Sequence, residues 1–318
     1  MGGRSLMGGR SAKCGRTSEP YNLVETCCGS AALSLHLLGA RRPLLPYQGG
    51  KWRYRHSLVG LLDQLGFSGT PKAVTLFDPG PWGAVMGVVL DPRGRLGVID
   101  QLTILSHLDA RTVYDELQGK QVPDDAITFT SEYLFLQRLS FSGKAVGIRD
   151  GRWWSPGFNV SSAYGLAGTE RFGPVKPMIP GLIRVLIGYG ETLGTNATVS
   201  SLRAGAGDPD DEVPRRTLVY IDPPYADTTS YPNGTLSRRE VVSLALGWRG
   251  AGATVLVSEA EALPALVEAG WSQLQLYAGR KDTSPFRGKQ EEWVTYSSSQ
   301  PAGVSSQASP MPSPSRSA

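Results

Sequence analysis

Five short apolar runs recur along the chain, at Asn22–Val24, Ala73–Phe77, Thr217–Ile221, Thr254–Ser258 and Trp293–Tyr296, each with the length of a buried strand. Between them the pattern predicts helices over Ser30–Leu38, Trp52–Leu65, Thr112–Leu117, Glu132–Leu139, Ile179–Tyr189, Arg238–Trp248 and Leu263–Ala269. Strands interleaved with helices at this spacing imply an α/β fold with a mostly parallel sheet covered on both faces. The stretch from Asp109 to Pro177 breaks that rhythm. It is rich in Gly, Arg and aromatics around RDGRWWSPGFN at Arg149–Asn159, and reads as an inserted module. Residues 1–19 and 298–318 hold too few apolar side chains to offset ordering entropy, and read as disordered tails. The expected organisation is a basic tail (1–19), a catalytic domain (20–108 with 178–297), an insertion (109–177) and a Ser/Pro-rich tail (298–318).

Composition narrows the function classes only a little. The 318 residues suffice for one large α/β domain carrying an insertion. No apolar run approaches the roughly 18 to 20 residues that span a bilayer. The basic start MGGRSLMGGRSAKCGR has no apolar segment of a secretory signal, so a cytoplasmic, nucleoid-associated protein without membrane contact is expected. Of the cysteines Cys14, Cys27 and Cys28, the adjacent pair cannot close an ordinary disulfide, which fits reducing surroundings. The histidines His36, His56 and His107 are scattered, with no metal-ligand spacing, so no metal is expected. A net charge of +4 permits a polyanionic partner without selecting one.

The most informative segment is TLVYIDPPY, Thr217–Tyr225. A buried strand delivers Asp222, then two prolines and an aromatic. The prolines remove two N–H donors and stiffen the turn, leaving the Asp222 and Pro223 carbonyls free at the carboxyl end of the sheet, where α/β folds bind ligands. A carboxylate beside a fixed carbonyl suits an –NH2 group, and the Tyr225 ring suits a planar base. The same residues also read as a plain strand closed by a proline turn.

DPPY at Asp222, Pro223, Pro224 and Tyr225 resembles the catalytic motif of the amino-methyltransferases of DNA, and four further segments resemble their Dam-like members. NLVETCCGSAALSLHLLG, from Asn22, is similar to the strand–loop–helix that holds S-adenosylmethionine, with Glu25, Gly29, Ser30, Ala32 and Leu33 in register. It departs at Thr26, Cys27 and Ala31. Physically, Gly29 permits close backbone approach, and a helix starting near Ser30 turns its N–H groups toward a carboxylate such as that of methionine. PYQGGKWR, with Gly49, Gly50 and Lys51, resembles the G-G-K motif at the methionine end of the cofactor. Here it follows the cofactor loop, so either the motif order is altered or the loop is the later DPGPWGAV at Asp78–Val85. Altered order is preferred, because AVTLFD makes a second strand whose acid, Asp78, suits ribose hydroxyls. FLQRLSFSGK, Phe135–Lys144, resembles the segment bordering the DNA-recognition module, with Gln137 and Ser142 in place of asparagines. GRKDTSPFRGKQEEWVTYS, Gly279–Ser297, is similar to the closing loop and strand.

The resemblance implies a Rossmann-like S-adenosylmethionine-dependent methyltransferase acting on N6 of adenine in double-stranded DNA, with or without a companion restriction endonuclease. Asp222, Pro223, Pro224 and Tyr225 would be catalytic, and Glu25, Gly29, Ser30, Gly49, Gly50, Lys51 and Asp78 would hold the cofactor. The target base would leave the duplex and stack on Tyr225. DNA contacts are expected from Arg138, Lys144, Arg149, Arg152, Trp153 and Trp154, with Trp153 as a wedge in the gap. Methylation of cytosine N4, of RNA or of a protein amine is the alternative within the enzyme class. A catalytically inactive DNA-binding homologue is the alternative outside it.

Overall fold

The computed structural model describes residues 19–45, 50–78, 80–160, 178–193, 198–202, 213, 215–224, 236–276 and 292–297. The expectations for the two tails fall outside these residues, apart from Glu19. The strands are β1 (Asn22–Thr26), β2 (Ala73–Phe77), β3 (Gly147–Arg149), β4 (Arg152–Trp154), β5 (Thr198–Leu202), β6 (Thr217–Ile221), β7 (Thr254–Glu259), β8 (Ser272–Leu276) and β9 (Glu292–Tyr296). Seven form one sheet in the order β5-β2-β1-β6-β7-β9-β8. All run parallel except β9, which pairs antiparallel with both β7 and β8. Numbered within the sheet, that order is 3-2-1-4-5-7-6. It is the doubly wound 3-2-1-4-5-6 order with one reversed strand slipped beside the edge. The chain changes direction across the sheet between β1 and β6, and the carboxyl ends of those two strands flank the ligand crevice of such folds.

Side-chain alternation divides the core. Leu23, Val74, Leu76, Leu218, Tyr220, Leu256 and Val294 face a layer made by α1 (Ala32–Leu37), α2 (Arg55–Gln64), α3 (Pro81–Leu90), α4 (Pro92–Ser106), α5 (Ala110–Leu117), α6 (Ala126–Leu139) and α7 (Met178–Thr192). The alternate residues Val24, Val219, Ile221, Val255 and Val257 face α8 (Arg238–Gly250) and α9 (Pro264–Glu268). The helices start where capping chemistry allows. Asp91, Asp109 and Asp125 each accept the amide three residues on, and Ser237 with Glu240 closes a reciprocal capping box.

All five expected strands are present, and each expected helix overlaps an observed one, although Ser30–Leu38, Trp52–Leu65 and Leu263–Ala269 run beyond the observed Ala32–Leu37, Arg55–Gln64 and Pro264–Glu268, with Trp52–Tyr54 in a 3-10 turn. The stretch read as an inserted module contributes side chains to the main core. Helix α6 packs on α3 and α4, and Phe129, Tyr133, Leu136 and Trp153 belong to the same apolar cluster as Leu23 and Leu76. Among the described residues no helix is long and apolar enough to cross a membrane.

Candidate active site

The register levels the strand ends. Thr26 pairs with Phe77 on one side and Ile221 on the other, so Cys27, Asp78 and Asp222 leave the sheet together. Because β9 runs the other way, its first residue, Glu292, reaches the same edge, opposite Leu276. The two-residue alternation puts Glu25 on the face of Leu23, Asp222 on that of Tyr220, and Glu292 on that of Val294. Among the described residues, five carboxyl groups, Glu25, Asp78, Asp222, Glu259 and Glu292, thus gather along one edge with one lysine, Lys51, between them.

Lys51 begins the 3-10 turn Lys51–Tyr54 and is 4% exposed. Its Nζ lies 2.6 Å from Asp222 Oδ1 and 3.7 Å from Glu292 Oε1. Burial pushes the Asp222 carboxyl above its ordinary range, and the Lys51 ammonium pulls it back. Burial likewise raises Glu259 to about 7. The Asp222 side chain is 16% exposed, and its amide extends the backbone ladder by one bond, donating to Thr26 O. Pro223 is buried and Pro224 half-buried, whereas Tyr225 lies outside the described residues.

The loop after β1 is strained and tied down. Cys27, Gly29 and Ala31 all take left-handed backbone angles, with φ of 53°, 47° and 48°. Two are not glycine, at a cost on the order of 1–3 kcal/mol each, so surrounding bonds must impose the conformation. Asp78 supplies some of them: Oδ2 accepts from the Gly29 amide at 2.9 Å and Oδ1 from the Gly80 amide at 2.8 Å. Burial raises its pKa to about 6 while those amides oppose the rise. Both Asp78 oxygens thus face backbone amides, where ribose contacts were expected of them.

Glu25 corrects a second expectation. Its Oε2 accepts from the Ser34 amide at 3.0 Å and the Ser34 hydroxyl at 2.5 Å, at the start of α1. The helix end expected to receive the carboxylate of methionine already holds one from the protein, because Ala31 at the N-cap offers no side-chain acceptor. Burial, opposed by the Ser34 bonds, lifts Glu25 to about 7. Ser30 is buried in the same loop, and Gly50 precedes Lys51 with ordinary backbone angles. Gly49 lies outside the described residues. Gly83 of the alternative cofactor loop sits inside α3, which starts at Pro81, so that segment is a helix where a glycine loop was the alternative.

The candidate DNA residues separate into two groups. Lys144, Arg149 and Arg152 are exposed. The Arg149 guanidinium lies 3.9 Å from the Trp154 ring centre, and Arg152 donates to Gly119 O at 2.9 Å. Arg138 is half-buried, donates to Met178 O at 3.4 Å, and has its pKa lowered by burial, so it ties α6 to α7. Trp153 corrects the wedge expectation. It is 2% exposed, and its indole N–H donates to Glu132 Oε2 at 2.7 Å. Alternation along β4 turns it inward and leaves Trp154 half-buried on the other side. Gln137, one of the expected departures, stitches the turn before β3: its amide donates to Lys144 O and accepts from the Val146 N–H.

Glu292 and Glu259 escaped the sequence reading. Their place at this edge depends on the pairing of β9 with β7, which no local motif reveals. Among the described residues no group of acidic, His or Cys side chains is arranged to hold a metal ion. Compared with models of known protein families and with curated proteins, the chain matches none.

Proposed function

We propose that the protein is a DNA methyltransferase that transfers a methyl group from S-adenosylmethionine to N6 of adenine. The observation that carries the reading is the occupancy of the loop donors. In an open α/β sheet the loop after β1 and the following helix start ordinarily receive phosphates. Here Asp78 and Glu25 take the Gly29 and Ser34 amides, and among the described residues the edge holds five carboxyls against one lysine. Such a crevice disfavours a polyphosphate dinucleotide and suits a ligand carrying positive charge. S-adenosylmethionine fits, with an ammonium and a sulfonium, and when bound it supplies a methyl group activated by the positive sulfur.

The chain's own residues then have distinct tasks. Lys51 opposes the protonation that burial favours at Asp222. With Oδ1 facing Lys51, Oδ2 is left to accept an N–H from the target amine, and the Pro223 carbonyl takes the other. Two acceptors draw the amine nitrogen toward tetrahedral geometry and localise its lone pair for attack on carbon. Asp222, in contact with that nitrogen, accepts the proton the product must lose. The exposed Arg149, Arg152 and Lys144 supply backbone contacts to the duplex.

Asp222→Asn tests the assignment. It retains shape and one acceptor but cannot be ionised, and methyl transfer should fall by at least about a hundredfold. Turnover near that of the wild type removes the reading.

A further inference from the structure

Lys51 is held by two carboxylates that belong to different strands. Asp222 follows β6 and Glu292 opens β9, with β7 between them in the sheet. Neighbouring strands lie about 4.8 Å apart, so these two backbones stand about 10 Å apart and the lysine bridges the gap. Its Nζ is 2.6 Å from Asp222 Oδ1 and 3.7 Å from Glu292 Oε1, which divides the ammonium unequally in favour of Asp222. Lys51 and Glu292 are each 4% exposed, so water and salt screen these contacts little. The other titratable groups that reach the cluster are Glu25, Cys27, Tyr54, Tyr220 and Glu259, from β1, the loop after it, the 3-10 turn, β6 and β7. None of these five is a cation. Arg53 and Arg238 act on Tyr54 and Glu259 respectively.

A second anion beside an ammonium weakens what that ammonium does for its first partner. A carboxylate in full contact with one lysine ionises readily but accepts protons and N–H groups poorly, because acceptor strength falls with basicity. Burial without the lysine has the opposite fault, since it favours the protonated acid. We infer that Glu292 is a positioning residue for methyl transfer: it draws part of the Lys51 charge away from Asp222, so that Asp222 stays a strong acceptor for the target amine. The inference rests on the methyltransferase reading for the identity of that amine. It adds a determinant from β9, whose reversed direction brings its first residue to the edge where the parallel strands end.

Carbon-13 NMR of the ligand-free full chain, labelled at its aspartate carboxyls, follows the ionisation of Asp222, whose signal is the one missing from Asp222→Asn. Glu292→Gln keeps the shape and an oxygen for Lys51 but removes the charge. Its Asp222 midpoint should fall by at least about half a pH unit, opposite to the rise expected of Lys51→Met. In a Lys51→Met background the same change should lose most of its effect. An unmoved or raised midpoint overturns the inference, and an undiminished shift without the lysine overturns the route through Lys51. Should Glu292→Gln fail to fold, Glu292→Asp withdraws the carboxylate by one methylene and should move the midpoint the same way by less; no movement overturns the inference. Single-turnover methylation of duplex DNA at saturating S-adenosylmethionine should be about two- to threefold slower on the plateau in Glu292→Gln, with its acid limb at lower pH. An equal plateau shows that the shared charge does not serve the reaction, and overturns the positioning role. If the wild type transfers no methyl group while the midpoint falls as expected, the methyltransferase reading fails and the charge sharing stands.

Discussion

Lys51 Nζ sits 2.6 Å from Asp222 Oδ1, joining the residue that opens a 3-10 turn after α1 to the one that follows β6. The pair is nearly sealed from water, so removing one charge leaves the other uncompensated. Lys51→Met should let the Asp222 pKa rise unopposed. Activity that needs the carboxylate then falls by at least about tenfold at neutral pH, and the acid limb of the pH–rate profile moves to higher pH. An unmoved limb would show that Lys51 does not set the ionisation of Asp222.

The buried carboxyls predict a pH-dependent stability. Glu25, Asp78 and Glu259 have folded values near 7, 6 and 7, above ordinary values of 4.5, 3.8 and 4.5. A raised carboxyl binds its proton more tightly when folded, so its stabilisation is complete below the ordinary value and is lost as pH rises through the folded one. The ligand-free protein should therefore lose thermal stability between pH 4.5 and 7. Glu25→Gln keeps an acceptor for Ser34 but does not titrate, and should remove on the order of 1–3 kcal/mol of that dependence. Identical melting profiles for the two chains would exclude Glu25 as a source.

Asp78→Ala separates loop support from ligand contact. It leaves the Gly29 and Gly80 amides without their acceptor, so melting temperature and affinity for S-adenosylhomocysteine should fall together, by about 1–3 kcal/mol in stability. Weaker binding with unchanged melting would instead assign the carboxylate to the ligand. Gly29→Val meets both a left-handed φ of 47° and a β-branched side chain, and should abolish binding.

On the hairpin, Arg149→Ala with Arg152→Ala should weaken DNA binding and reduce its salt dependence by about one to two units of log–log slope. Cofactor affinity without DNA should be unchanged. Trp153→Phe should act differently, lowering the melting temperature because Glu132 loses its indole donor. A changed salt slope in Trp153→Phe, with none in the arginine double variant, would reverse these roles.

The parallel strands were legible because a strand buried on both faces reads as an unbroken apolar run, as TLVYI does at β6. Strand β8, SQLQL, at one edge of the sheet, and β5, TVSSL, at the other, carry too few apolar residues to stand out. Helix α3 was hidden in DPGPWGAV, whose prolines and glycines look like a loop although Pro81 occupies a first-turn position where proline is tolerated. At the site, Asp222 was legible from its local motif. Its neighbours Lys51 and Glu292 meet it only through the folded order of strands, and Trp153 was misread because composition does not tell which way alternate hairpin residues point.

The most direct measurement is of the product. Purified protein, S-adenosylmethionine with a labelled methyl group and unmethylated duplex DNA are incubated together, and the DNA is digested to nucleosides and resolved by mass spectrometry. Label should appear in N6-methyldeoxyadenosine with the wild type and be at background with Asp222→Ala. Label in another nucleoside, equal label with the variant, or none with a folded wild type across duplexes of varied sequence would contradict the account.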